Sequence, residues 1–381
     1  MKSLKKIKGT TVLAVLIFLF LASLPFYMPM FRVSLFGKYM CFAIVALGLD
    51  MIWGYTGILS LGHGVYFGLG AYCMAMYLKL EASGGSLPDF MSWSGLSRLP
   101  VMWAPFAHPA FAILMAVLAP MLLAVVIGHL TFTNKIRGVY FSILSQAMAM
   151  IMGTLLIGSQ AFTGGSNGLT DFRTIFGRDI NAPLTKLYMF YATLTALVLI
   201  YMACRFIAGR RVGRVLVAIR DGENRAGFAG YNTASYKVFV YAMSGVIAGI
   251  AGALYVGQVG IISPAEVGIV PSVEMIIWVA IGGKGTLAGP ILGALAVNSL
   301  KTAASEHFPE LWSYFIGVLF VVVILWLPGG FISLKEVPGR IRSRLVQRRE
   351  EASAARRGEE ASAARRGERV SAAVQGNTGN N

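Results

Sequence analysis

Charged residues are scarce in this sequence. Asp, Glu, Lys and Arg together make up 13% of its 381 residues, about half the share carried by a soluble domain. Apolar residues make up 56%, and so few charges leave them no adequate cover against water. An ordinary soluble domain is excluded, and lipid becomes the solvent to consider. Acidic residues are scarcer than basic ones, 17 against 33, for a net charge of +16. The basic residues lie in loops and tails between apolar runs, which is a pattern of membrane topology rather than of nucleic-acid binding. No nucleic-acid partner is implied.

Cysteine and histidine are also sparse. Cys41, Cys73 and Cys204 all fall inside apolar runs, without a CxxC pair. An odd number so placed implies no disulfide framework or zinc site and reads as small buried apolar side chains. His63, His108, His129 and His307 are scattered, with no metal-ligand spacing. There is no Walker A loop, no HExxH and no GxSxG with plausible partners. The sequence therefore offers no catalytic residue, metal ligand or cofactor site, and no means of hydrolysing ATP by itself.

What is abundant is long apolar runs and glycine. Crossing a bilayer takes about 20 apolar residues. The first run, Thr11–Phe31, follows Lys2, Lys5, Lys6 and Lys8. It is long for a signal-peptide core and lacks a clear cleavage site, so it reads as a retained span. Others follow at Phe36–Trp53, Leu61–Leu78, Pro109–Leu130, Val139–Ile157, Leu187–Ile207, Tyr236–Val256, Val273–Ile281, Gly289–Leu300 and Trp312–Trp326. The eighth and ninth are short and linked through Gly282-Gly283-Lys284-Gly285, so they are either two tilted spans or a re-entrant hairpin. The 44 glycines suit a membrane bundle, because small residues let helix backbones approach. The fold expected is all-α, a polytopic bundle of about ten spans.

Lys and Arg then set the orientation. With a cytoplasmic N-terminus, the inside segments hold Lys135, Arg137, the Arg cluster from Arg205 to Arg225, Lys237, Lys284 and the basic tail. The outside segments hold only Arg32, Lys38, Lys79, Arg98, Arg173, Arg178, Lys186 and Lys301. Both termini are expected inside. The chain divides into a basic N-terminus (1–10), a transmembrane domain (11–334) and a cytoplasmic basic tail (335–381). Within that tail EEASAARRG occurs twice in succession, Glu350–Gly358 and Glu359–Gly367. It has no apolar face to bury and is expected to be disordered.

Ionisable residues inside the spans are few: Asp50, His63, Glu266 near a span entry, and Glu274, of which Asp50 and Glu274 stand out. Two glycine-rich stretches, Gly54–Gly64 and Gly282–Thr286, each interrupt a pair of apolar runs. Such breaks either mark a transport path near the midplane or allow close helix packing. Thr163–Asp171, TGGSNGLTD, offers hydrogen-bonding groups at the outer end of the fifth run and is equally readable as a surface turn. In the longest inside loop, Val212, Val215, Leu216 and Ile219 recur at helical spacing, the mark of a short amphipathic helix. It could lie on the membrane surface or dock into a partner's groove.

Several strings resemble one family in series. GYTGILSLGHG (Gly54–Gly64), TGGSNGL (Thr163–Leu169), VAIRDGENRAGFAGY (Val217–Tyr231) and SGVIAGIAGALYV (Ser244–Val256) look like branched-chain amino-acid-type ABC permeases. LPDFM (Leu87–Met91), SNGLTDF (Ser166–Phe172) and VEMIIWVAIGGKGTLAGPILGA (Val273–Ala294) look most similar to the urea-transport branch. The likeness spans Phe36 to Pro328 and omits the repeat tail. It implies a permease subunit of an importer in the bacterial inner membrane. Its implied partners are a second, related permease, two cytoplasmic ATP-binding subunits and a periplasmic solute-binding protein. It implies urea or a short-chain amide as solute, with branched-chain amino acids as the alternative; an ATPase-independent channel or carrier is a separate class. The resemblance assigns ATPase coupling to the loop carrying Arg214, Arg220, Asp221, Glu223, Asn224, Arg225 and Gly230. Ser60, His63, Asn167 and Glu274 are the candidates for the solute path.

Overall fold

The computed structural model describes residues 2–307 and 317–318, with side chains from residue 12 onward. The tenth apolar run, Trp312–Trp326, and the tail with its repeat lie outside the described residues. Among the described residues twelve α-helices form: α1 (Lys2–Ser23), α2 (Met30–Thr56), α3 (His63–Ala82), α4 (Asp89–Trp93), α5 (Pro109–Thr133), α6 (Val139–Gly158), α7 (Gln160–Thr163), α8 (Pro183–Gly209), α9 (Arg211–Phe228), α10 (Thr233–Val259), α11 (Ile269–Gly282) and α12 (Ala288–His307). The one sheet among the described residues is a two-stranded ribbon, β1 (Thr174–Ile175) antiparallel to β2 (Arg178–Asp179).

Among the described residues five helices, α2, α5, α6, α8 and α10, are long and apolar enough to cross a bilayer. The apolar part of α1 and the whole of α11 are shorter. At 14 residues, α11 rises about 21 Å, less than the ~30 Å hydrocarbon thickness. The first run does not reach Phe31 as one helix. Pro25 and Pro29 lack amide hydrogens to donate, so the chain turns at Leu24–Phe26, and α2 starts at Met30, six residues before the expected Phe36.

The helices sort by burial. In the apolar window of α2, 83% of residues are buried inside the protein, against 22% in α5 and in α6. What α5 and α6 expose is apolar: Leu122, Val126 and Leu130 on one, Ile143, Ile151 and Leu155 on the other. An exposed apolar belt on a helix too long for a surface element is a lipid-facing surface. So α2 is the central post, and α10 packs across it, α3 and α5.

Small residues make that packing possible. A Cβ added at Gly252 would lie 1.9 Å from the Phe67 carbonyl oxygen on α3, and one at Gly70 would lie 2.1 Å from that of Gly249 on α10. Backbones this close leave no room for any side chain.

Loops gather at two ends of the bundle. At one, Lys79 donates to the Thr170 carbonyl (3.2 Å), Glu81 accepts from the Gly177 amide (2.6 Å), and Leu169 pairs with Ile262 as an isolated β-bridge. At the other, α9 lies against the ends of α2, α8 and α10.

Candidate functional site

At the α9 end the backbone breaks meet. Asp50, fully buried near the end of α2, accepts from the Gly285 amide (2.6 Å) and the Leu287 amide (3.3 Å) of the α11–α12 turn. Arg220 on α9 donates through Nη1 to the Gly54 carbonyl (2.7 Å). The two glycine-rich stretches, more than 200 residues apart in the chain, thus converge on one carboxylate and one guanidinium.

Helix α9 is amphipathic as its spacing predicts. Val215, Leu216, Ile219 and Ala226 are buried, and the helix bends at Gly222, where ψ is 85°. Its polar residues divide by direction. Glu223 accepts from Lys237 and pairs with Arg137 (3.1 Å), and Asn224 accepts from Arg137 (3.1 Å). With Arg220 they fasten α9 to the bundle. Arg214, Asp221, Arg225 and Gly230 are exposed. Arg225 donates to the Asp221 carbonyl (2.9 Å), and Gly230 takes φ +86° in the turn after the helix. Phe228 is 92% exposed at the tip of α9. It escaped the reading of the sequence because nothing in the helical spacing distinguishes an outward aromatic from a buried one.

Ser60 and His63 sit in a closed interior. Both are fully buried, and His63 Nε2 lies 2.7 Å from Ser244 Oγ. Tyr66 donates to Tyr241 (2.7 Å) beside them, with the rings edge to face. Neither Ser60 nor His63 lines the main cavity.

That cavity, of about 890 Å³, opens at the end opposite α9, between α2, α6, α11 and α12. Glu274 lines it, and Lys301 of α12 donates to both Glu274 oxygens (2.9 and 3.0 Å). Asn167 is exposed in the adjoining turn, whose Ser166 lines the cavity. Lys38, counted from the sequence with the outside charges, and Glu266, noted there only as an ionisable residue near a span entry, line it too. Lys38 stands 5.6 Å from the Phe42 ring centroid and 5.8 Å from that of Tyr255, and the Tyr255 hydroxyl donates to Glu266 (3.1 Å). Phe42 and Trp278, with centroids 4.7 Å apart, form an aromatic wall. Lys301 looks like a loop charge because the expected run stops at Leu300, seven residues short of the end of α12, and Lys38 counts as an outside charge by its place near the start of the run Phe36–Trp53.

Among the described residues, no group of three or more His, Cys, Asp or Glu side chains could hold a metal ion.

Comparison with known proteins adds to this geometry. Residues 31–324 match the family model described as branched-chain amino acid transport system / permease component. The chain is similar to the high-affinity branched-chain amino acid transport system permease protein LivM of Escherichia coli K12, at 24% identity over 81% of this chain and 72% of that protein. It is similar to BraD of Pseudomonas aeruginosa, a permease protein of the same named system, at 23% identity over 78% and 92%. A more distant likeness is to the autoinducer 2 import system permease protein LsrC of Yersinia pseudotuberculosis, at 26% identity over 70% and 74%. No solved structure matches.

Proposed function

This chain belongs to the branched-chain amino acid transport system permease family, and on that premise we propose that it is the membrane-spanning subunit of an ATP-driven importer of a small nitrogenous solute. A second permease, two cytoplasmic ATP-binding subunits and an extracytoplasmic binding protein complete the machine. The importer works in a bacterial inner membrane, with about ten spans and both termini inside.

The observation that carries this reading is α9. It stands outside the long apolar helices and is fastened to the bundle on one face. It offers Arg214, Asp221, Arg225 and Phe228 on the other. That is a lever with one end built in and one end open to a partner. An exposed aromatic beside charged residues is the composition of an interface anchor. We assign the open face to an ATP-binding subunit. The basic residues around it support a cytoplasmic location for this end. Closure of the ATP-binding subunits would move α9, and through Arg220 and Asp50 the ends of α2 and the α11–α12 hairpin, rocking the bundle between outward and inward states.

For the solute, the named relatives favour a branched-chain amino acid. The strings LPDFM, SNGLTDF and VEMIIW…GKGTLAGP favour urea. Uptake of radiolabelled leucine and urea, in cells carrying the full set of subunits, separates the two. In the same cells Phe228→Asp, at matched membrane level, is expected to lower uptake of the accepted solute by about tenfold or more. Unchanged uptake would remove α9 from the coupling role and leave a channel or carrier that needs no ATPase.

A further inference from the structure

Five charged residues line the cavity at the end opposite α9; Glu306, at its rim, pairs with Arg32 (3.1 Å), and the other four stand in two different conditions. Glu274 and Lys301 neutralise each other through two short hydrogen bonds. Lys38 and Glu266 form no ion pair among the described residues, although both stand at Tyr255. Lys38 covers its ring, and Glu266 takes its hydroxyl hydrogen. The ring therefore holds a cation and an anion beside one another without letting them close.

Both groups are at depth. Lys38 lies eight residues into α2, which puts it about 12 Å along the helix from Met30. Glu266 is carried by the turn Pro264–Val267, which enters α11 and is pinned in place. The Ile262 amide and carbonyl bond to Leu169 (3.0 and 2.8 Å), Val267 packs on Gly68, and the Ser272 hydroxyl accepts from the Gly64 amide (3.0 Å). A charge left without an opposite partner within a membrane helix bundle is costly and is characteristic of a solute or ion pathway. Here the cost falls on two opposite charges facing one cavity, which suits a solute that has both a negative and a positive end.

We propose that Lys38 and Glu266 form the solute-reading site of the permease. The Lys38 ammonium donates to an oxygen of the solute, and the Glu266 carboxylate accepts from its N–H groups. The chemistry is that of a small molecule carrying an oxygen acceptor next to N–H donors. An α-amino acid would place its carboxylate at Lys38 and its ammonium at Glu266, with an aliphatic side chain against Phe42, Met275 and Trp278. Urea would place its carbonyl at Lys38 and its two amino groups at Glu266. This inference rests on the importer reading above. It adds which residues touch the solute and why one cavity favours nitrogenous dipoles over ions of a single sign.

The test uses the complete transporter in proteoliposomes, with its binding protein and ATP-binding subunits, and measures leucine uptake, urea uptake and ATP hydrolysis. Lys38→Met and Glu266→Gln are each expected to lower uptake of the accepted solute by about tenfold or more, the scale of one lost charged hydrogen bond. ATP hydrolysis stimulated by loaded binding protein should stay within about twofold, so less solute moves per ATP. The exchange variant, Lys38→Glu with Glu266→Lys, should recover part of the uptake, which a merely structural role would not allow. Glu306→Gln, on the cavity rim, serves as a control for altered charge. Uptake of leucine identifies an amino acid as the ligand and uptake of urea identifies an amide; loss in the variants supports the site in either case. Wild-type uptake that survives in both single variants overturns the site alone. A wild-type complex that hydrolyses ATP yet imports neither solute overturns the importer reading, and the site with it.

Discussion

Asp50 shows how one residue can join distant parts of a chain. A carboxylate that is fully buried needs donors, and it finds them in the amides of Gly285 and Leu287. Those amides have no helix to satisfy them, because they lie in the break between α11 and α12. Each side answers the other's unpaired group, which is why removing one leaves a penalty on the other. Asp50→Ala is expected to destabilise the protein by about 2–3 kcal/mol. Asp50→Asn keeps an acceptor oxygen and should cost less. Thermal unfolding in detergent measures both, and equal stability of Asp50→Ala and the parent would refute the clasp. The other buried polar groups named from the sequence behave differently. His63 turns towards Ser244 within the interior, where Ser60 is also buried, and the charge that faces the open cavity is carried by residues on α2, α11, α12 and the turn before α11.

Among the elements, α9 is the one whose attachment can be taken apart. Its apolar face buries Val215, Leu216 and Ile219, a short stripe. An isolated helix of this length is marginal in water, so tertiary contacts must hold it. Arg220 on Gly54 and Glu223 on Lys237 and Arg137 are those contacts. Lys237 is buried, so truncating Glu223 strands a cation as well as releasing the helix. With Glu223→Ala, amides of residues 211–228 are expected to exchange hydrogen about tenfold faster or more, while the middle of α10 keeps its protection. Unaltered exchange in α9 would mean that the apolar stripe suffices. The helix α11 makes a different point. It is too short to cross the membrane alone, and its partner α12 lies close enough that a Cβ at Gly293 would sit 2.0 Å from the Trp278 carbonyl oxygen. The pair acts as one hairpin whose turn meets Asp50 and whose far end carries Glu274 and Lys301.

At the scale of the molecule, the two ends differ in kind. One gathers α9 and most of the loop Arg and Lys residues, and the other holds the β1–β2 ribbon and the mouth of the cavity. If positive charge sets orientation, the α9 end faces the cytoplasm. Cys41, Cys73 and Cys204 are all buried, which keeps the background low for cysteine labelling. A membrane-impermeant maleimide applied to spheroplasts is expected to label Ser86→Cys, exposed after α3, and to spare Ala229→Cys, exposed after α9, until the membrane is opened. The reverse pattern would invert the topology and place the cavity on the cytoplasmic side.

Composition alone determined the solvent, because 13% charge cannot cover 56% apolar residues in water. Local pattern determined the helices: eight of the nine apolar runs in the described residues form a helix whose ends lie within seven residues of the expected bounds, and the first departs only where proline breaks it. The spacing of Val212, Val215, Leu216 and Ile219 determined that α9 is amphipathic. What no window of sequence held was which charges meet. Arg220 and the Gly54 carbonyl, Asp50 and the Gly285 amide, Lys301 and Glu274, Glu223 and Arg137 are joined only when the helices pack. The period of a helix specifies which residues share its own face. Which face of another helix arrives opposite depends on the close crossings of glycine backbones across the whole bundle.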